Sequence, residues 1–152
     1  MAFRRKQIGH QPPNWVGDGE VFFITICLKD RGSRQLLEPE VASMVKESVS
    51  FYQEQGRWWV ELFLLMPDHL HALISFNQRE YPMSESIRTW KSYLKRHCGV
   101  MWQRGYFDHR LRTADHLREK AMYIRLNPVR AGLVQCAEDW EYLWTSEGRV
   151  FH

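Results

Sequence analysis

The stretch "WWVELFLLMPDHLHALISF" (Trp58–Phe76) constrains the fold more than any other part of the chain. Two apolar runs, Trp58–Met66 and His69–Phe76, are separated only by Pro67 and Asp68. Proline presets φ for the first central position of a type I turn, and aspartate is acceptable at the second. The sequence therefore predicts a tight antiparallel hairpin. Two imidazoles, His69 and His71, sit just after the turn in what otherwise reads as a buried strand. Side chains alternate along a strand, so these two share one face, while Leu70, Ala72, Ile74 and Phe76 point to the other.

The rest of the chain supplies partners for that hairpin. Val21–Leu28 is β-branched and aromatic and predicts a strand, broken by "DRGS". From Pro39 to Gln55 the residues Val41, Met44, Val45, Ser48, Val49 and Tyr52 recur at helical spacing. Pro39 suits the first turn and Gly56 the stop. A second helix is expected over Ser84–His97, with Ile87, Trp90 and Leu94 as its apolar stripe and Arg88, Lys91 and Lys95 as a basic one. Arg104–Arg112 reads as a fourth strand. A third helix should start at Thr113 as N-cap and stop near Leu126, because Pro128 biases Asn127 away from helical angles.

The order is β-α-β-β-α-β-α. Its first six elements fit an α+β, ferredoxin-like fold, an antiparallel four-stranded sheet with helices packed on it, followed by one added C-terminal helix. The 152 residues read as a single domain, with 1–20 as lead-in and 129–152 as tail. A chain of this length buries roughly 70% of its unfolded surface, enough for one substantial core.

Composition narrows the partners. A net charge of +3 permits a polyanion without demanding one. Cys27, Cys98 and Cys136 are far apart and form no CxxC pair, which argues against a disulfide framework and a cysteine zinc site and suits a cytoplasmic protein. The first residues contain no apolar signal region, and no run approaches the ~18 apolar residues of a membrane span.

Paired imidazoles at i and i+2 of a strand can ligate one divalent metal, although an isolated pair is as readily two structural histidines. A metal site would need more ligands and a nucleophile. The third helix offers candidates. Leu117, Ala121 and Ile124 make its buried stripe, and His116, Lys120, Tyr123 and Asn127 project together on another. Taken alone, Tyr123 is an ordinary packing tyrosine and Asn127 a C-terminal cap.

Three motifs in order, "MPDHLHAL", "WQRGYFDHRLR" and "YIRLNPVRAGLV", closely resemble those of the REP-associated tyrosine transposases, with "AEDWEYLWTS" resembling the tail of that branch. This family belongs to the HUH single-tyrosine transposases, named for a His–hydrophobic–His motif. The resemblance covers roughly residues 15–147. It implies that His69 and His71 bind a divalent metal ion, Mg²⁺ or Mn²⁺, with Asn127 at the position of a third ligand. It also implies that Tyr123 is the nucleophile of a DNA endonuclease and strand transferase acting on single-stranded DNA with hairpin repeats through a 5′-phosphotyrosine. Lys120, one turn before Tyr123, is placed to orient it. The branch points to a monomer rather than a homodimer.

A DNA strand needs phosphate contacts and stacking surfaces. The candidates are Arg4 and Arg5 near the N-terminus, Arg88, Lys91, Lys95 and Arg96 on the second helix, Arg125 and Arg130 flanking Tyr123, and Trp102 and Tyr106 for stacking. The competing readings are a hairpin-binding module that does not cut, and an HUH replication initiator or relaxase. The single Tyr123 and the spacing to Asn127 favour the transposase branch.

Overall fold

The computed structural model describes residues 12–17 and 20–146. The candidates Arg4 and Arg5 lie outside them. After a single helical turn, Asn14–Gly17, the described chain forms β1 (Val21–Cys27), α1 (Pro39–Glu54), β2 (Trp58–Leu65), β3 (His69–Phe76), α2 (Met83–Cys98), β4 (Phe107–Leu111), α3 (Ala114–Arg130) and β5 (Leu143–Thr145). Short 3₁₀ turns occupy Gln35–Leu37 and Ala137–Asp139.

The expected hairpin forms around Pro67–Asp68, and the Met66 amide closes it by donating to the His69 carbonyl at 2.9 Å. The turn is also held from outside. Its Asp68 carbonyl accepts from the Leu28 amide at 2.8 Å, and its Pro67 carbonyl from the Leu36 amide at 3.2 Å. Helix α1 begins with Pro39 in its first turn, and α2 ends at Gly99, whose φ of 70° is the left-handed conformation glycine adopts without steric cost.

Among the described residues the sheet is antiparallel and has five strands in the order β4-β1-β3-β2-β5, one more than the four the sequence suggests. The extra strand, β5, comes from what reads as tail. It pairs Leu62 with Thr145 and Leu64 with Leu143 along the free edge of β2. Trp144 stacks on Phe63 at 5.6 Å, and Trp140 Nε1 donates to the Leu65 carbonyl at 3.1 Å. These contacts cover an edge that would otherwise present unpaired backbone groups.

Each face of the sheet has its own core. On one, Ile24, Phe63, Ala72 and Ile74 pack with Val45 of α1 and Trp90 and Leu94 of α2. On the other, Phe23, Leu62, Leu64 and Leu73 pack with Ala121 and Ile124 of α3. Alternation lets the fully buried β2 serve both faces, and a register shift between Val60 and Leu62 reverses its parity, so Trp58 and Val60 share the first core with Phe63 and Leu65. The result is three layers, with α1 and α2 on one side and α3 on the other.

Helix α3 corrects the expectation that Pro128 ends it near Leu126. The helix continues through a buried Pro128 to Arg130, so Val129 and Arg130 belong to it rather than to the tail. Proline removes one amide donor here, the one that would reach the Ile124 carbonyl, and the helix tolerates that single loss. The helix stops at Gly132, with φ 75°. There the Leu133 amide donates to the Pro128 carbonyl and the Gly132 amide to the Val129 carbonyl, a Schellman closure. Among the described residues no helix is long and apolar enough to cross a membrane.

Candidate active site

The β1–β3 pairing builds the floor of the site. It sets Thr25 opposite His71 and Cys27 opposite His69, all facing the α3 side of the sheet. His71 is 8% exposed. Its Nδ1 lies 2.8 Å from the Thr25 hydroxyl. Burial, and then the nearby charges of His69, Arg130, Lys120 and Arg31, push its pKa down to about 3. His71 is therefore neutral at physiological pH and keeps a lone pair.

His69 is held by its chain neighbour. Its Nδ1 lies 2.8 Å from Asp68 Oδ1, and Arg31 Nε donates to Asp68 Oδ2 at 3.2 Å. Burial works against the charge of Asp68, but the hydrogen bonds from His69 and Arg31 outweigh it and hold the carboxyl below the usual range. An ionised carboxylate only accepts, so the shared proton sits on His69 Nδ1. That leaves Nε2 as the ring nitrogen of His69 facing away from the carboxylate. The two imidazole centroids are 4.9 Å apart, and no hydrogen bond engages either Nε2 among the described residues.

Helix α3 lies across this floor. The Thr113 hydroxyl caps it by accepting from the His116 amide at 3.1 Å, as the sequence suggests. Ala121 and Ile124 bury against the sheet, which turns Tyr123 to the rim, 44% exposed. The Tyr123 ring is 6.1 Å from His71 and 6.3 Å from Phe23, and Phe23 itself stacks on His71 at 5.4 Å. Lys120 Nζ lies 4.7 Å over the Phe23 ring and 5.2 Å over that of Tyr123. The Arg130 guanidinium lies 4.3 Å over the Tyr123 ring and donates to the Tyr123 carbonyl at 2.5 Å.

The structure thus brings His69, His71, Tyr123, Lys120 and Arg130 together. Asn127 sits one turn beyond Tyr123, half-buried, with its backbone carbonyl accepting from the Ala131 amide at 2.9 Å. No cluster of three or more His, Cys, Asp or Glu side chains able to hold a metal occurs among the described residues. A third protein ligand from α3 would have to be an amide or hydroxyl such as that of Asn127.

Other sequence candidates lie elsewhere. Arg88, Lys91, Lys95 and Arg96 are on α2, which packs on the opposite face of the sheet from the histidines. Lys91 donates to the carbonyls of Gln103 (3.0 Å) and Gly105 (2.7 Å), and burial pushes its pKa down. Trp102 Nε1 donates to the Lys91 carbonyl at 3.0 Å, and its ring packs 5.7 Å from Trp90. Tyr106 is half-buried, its hydroxyl pushed up by burial and by Asp108. Arg88, Lys91, Lys95, Trp102 and Tyr106 together line a cleft of about 390 Å³. Arg125 is half-buried, with its Nε inside the protein and its pKa pushed down by burial.

Sequence reasoning missed Thr25, Phe23, Arg31 and the second role of Asp68. The available signal was the alternation of β1, which puts Phe23 and Thr25 on one face, but the register that aligns them with His71 is a long-range property.

No family model matches the chain. It is 25% identical over 126 residues to the REP-associated tyrosine transposase of Escherichia coli (strain K12), covering 82% of this chain and 75% of that protein. A Haemophilus influenzae relative bearing the same family name is 26% identical over 142 residues, covering 82% of this chain and 78% of the relative. A solved structure of a REP-associated tyrosine transposase bound to a REP hairpin superposes with a TM-score of 0.74 at 23% identity, covering 82% of this chain and 76% of that one. The resemblance carried by the three motifs is borne out: the chain is similar in sequence to the REP-associated tyrosine transposases and has the fold of one of them.

Proposed function

We propose that this chain is a metal-dependent transposase that nicks and rejoins single-stranded DNA at hairpin repeats through a 5′-phosphotyrosine on Tyr123. One observation carries the reading. The Tyr123 ring stands 6.1 Å from His71, beside a pair of imidazoles whose Nδ1 atoms are both held and whose Nε2 atoms share one face. The similarity to transposases, and the REP hairpin bound to the structure that shares this fold, support the substrate class.

The donor set fits a divalent metal. Both imidazoles are backed by an oxygen at Nδ1, the usual support of metal-ligating histidines, and His71 stays neutral through burial. His69 and His71 would hold the ion, with Asn127 as third ligand. Mg²⁺ or Mn²⁺ bound there would supply Lewis-acid polarisation of a phosphate oxygen.

The chain's own residues do the rest. A phenol is a weak nucleophile at neutral pH and needs a prepared setting. Lys120 and Arg130 stand over the Tyr123 ring and set a positive potential where the phosphate arrives. The Tyr123 oxygen attacks phosphorus and loses its proton, the bond to the departing 3′-oxygen breaks, and that oxygen leaves as a 3′-hydroxyl. The 3′-hydroxyl of a second strand end then attacks the phosphotyrosine, forming a new phosphodiester and returning the Tyr123 hydroxyl. Bond energy is conserved in the tyrosyl ester, so no nucleotide triphosphate is required. The approach of His71 and Tyr123 within one chain supports a monomer as the working unit. Arg88, Lys95 and the aromatics of their cleft would serve DNA remote from the scissile phosphate, because they lie across the sheet.

The test is incubation with single-stranded hairpins, taken from inverted repeats flanking the gene, in Mn²⁺, followed by a denaturing gel. A covalent protein–DNA adduct that EDTA suppresses and Tyr123→Phe abolishes supports the enzyme. Tight hairpin binding without an adduct supports a non-cleaving binding module instead.

A further inference from the structure

We propose that Phe107 is a nucleobase-stacking platform that holds an unpaired base beside the phosphate facing Tyr123. The inference rests on the functional reading above and names a substrate contact within it. Phe107 opens the edge strand β4 and lies directly opposite Thr25, the residue that holds His71. It therefore belongs to the same row of the sheet as His71 and shares its face. Its ring stands edge-on to Phe23 at 6.0 Å, and Phe23 in turn touches both His71 and Tyr123.

The contact with Phe23 fixes the ring without burying it: Phe107 is 55% exposed. A phenyl group has no polar atom to place in water, and this one adds little to either core. What surrounds it decides the occupant. Lys120 and Arg130 converge on Tyr123, and Arg31 sits at His69, so the aromatic wall is bordered by cations. A positive rim around an exposed ring suits a ligand that is anionic along its backbone and flat in its side groups, which is single-stranded nucleic acid. An apolar peptide gains nothing from the cations. A duplex keeps its bases stacked on one another, so a single ring of this kind favours unpaired nucleotides. Every base has a π-face, and the platform therefore holds the strand without reading its sequence.

The probe is a short fluorescein-labelled oligothymidine, with an abasic strand of the same length as its counterpart. Anisotropy titrations use a Tyr123→Phe background, which prevents covalent capture, over a series of salt concentrations. Phe107→Ala and Phe107→Leu should each weaken oligothymidine binding about tenfold, the loss of one stacked base. Phe107→Trp should restore it. The slope of log affinity against log salt should stay the same in all of them, because no phosphate contact is removed. On the abasic strand the parent and Phe107→Ala should bind equally. The proposal is overturned if Phe107→Ala binds oligothymidine as tightly as the parent, if leucine replaces phenylalanine without loss, or if the loss is the same on the abasic strand. An unmutated protein that forms the Tyr123 adduct alongside any of these results leaves the enzymatic reading intact and removes the platform alone. An unmutated protein that binds no single strand removes both.

Discussion

Asp68 Oδ1 and His69 Nδ1 lie 2.8 Å apart, although the two residues are adjacent in the chain and Asp68 was selected by the sequence only as a turn former. Arg31 braces the other carboxylate oxygen at 3.2 Å. The pair decides which nitrogen of His69 is free, so it should govern metal affinity more than folding. Asp68→Ala is expected to weaken Mn²⁺ binding about 10–100-fold, the usual cost of losing such a supporting partner. Isothermal titration of the unmutated protein and the variant measures it. Equal affinities would reduce Asp68 to a turn residue.

His71 makes metal-free stability depend on pH. Its folded-state pKa is about 3 against an ordinary 6.5, so the unfolded chain takes up the proton first. The contribution is complete above about pH 6.5 and is lost as pH falls toward about 3. Urea unfolding of EDTA-treated protein should show stability dropping by about 2 kcal/mol more between pH 7 and pH 4.5 than in His71→Gln. Identical pH slopes in the two proteins would contradict the burial of a neutral imidazole.

The hairpin, the two helices of the first core and the shared face of His69 and His71 were legible because each depends on local chemistry: a turn residue, a repeat of 3.6 or an alternation of two. The shared stripe of Tyr123 and Lys120 was legible for the same reason, the two being neighbours on one helix, whereas the nucleophile role of Tyr123 came only with the family resemblance. Other features depend on what the rest of the chain does. Pro128 locally argues for a helix end, but burial of its ring and the Gly132 closure carry the helix past it. The strand Leu143–Thr145 is too short for any period, and it forms because β2 offers a free edge. Thr25 meets His71 across 46 positions of sequence, through a register that no local pattern announces. The basic stripe of α2 was visible, but not the side of the sheet to which Trp90 and Leu94 commit it.

Trp90 ties α2 to that opposite core. It is 1% exposed, its Nε1 donates to the Ser48 hydroxyl at 2.8 Å, and its ring meets Trp58 and Phe63. Trp90→Ala should cost about 3–5 kcal/mol in urea unfolding. The fraction that remains folded should bind Mn²⁺ with unchanged affinity, since the histidines lie across the sheet. A loss of metal affinity at constant folded fraction would show that the two faces are coupled.

Arg130 and Lys91 are both basic candidates, but the structure treats them differently. Arg130 is exposed and stands over Tyr123, whereas the Lys91 ammonium is engaged by two backbone carbonyls. With single-stranded DNA, Arg130→Gln should reduce the slope of log affinity against log salt by about 0.7, the loss of one phosphate contact. Lys91→Gln should leave the slope unchanged. Salt titrations of both variants provide the comparison, and a smaller slope for Lys91→Gln would return it to the DNA interface.

In the proposed reaction Tyr123, beside the paired histidines, becomes covalently joined to the 5′ end of a cut strand. Protease digestion of the adduct formed with a cognate hairpin, followed by mass spectrometry of the nucleotide-bearing peptide, tests it most directly. A single modified peptide with a 5′-phosphate ester on Tyr123 is expected, absent from His69→Ala and His71→Ala proteins that remain folded. Linkage to another residue, a 3′-phosphate ester, or undiminished adduct in either histidine variant would contradict it.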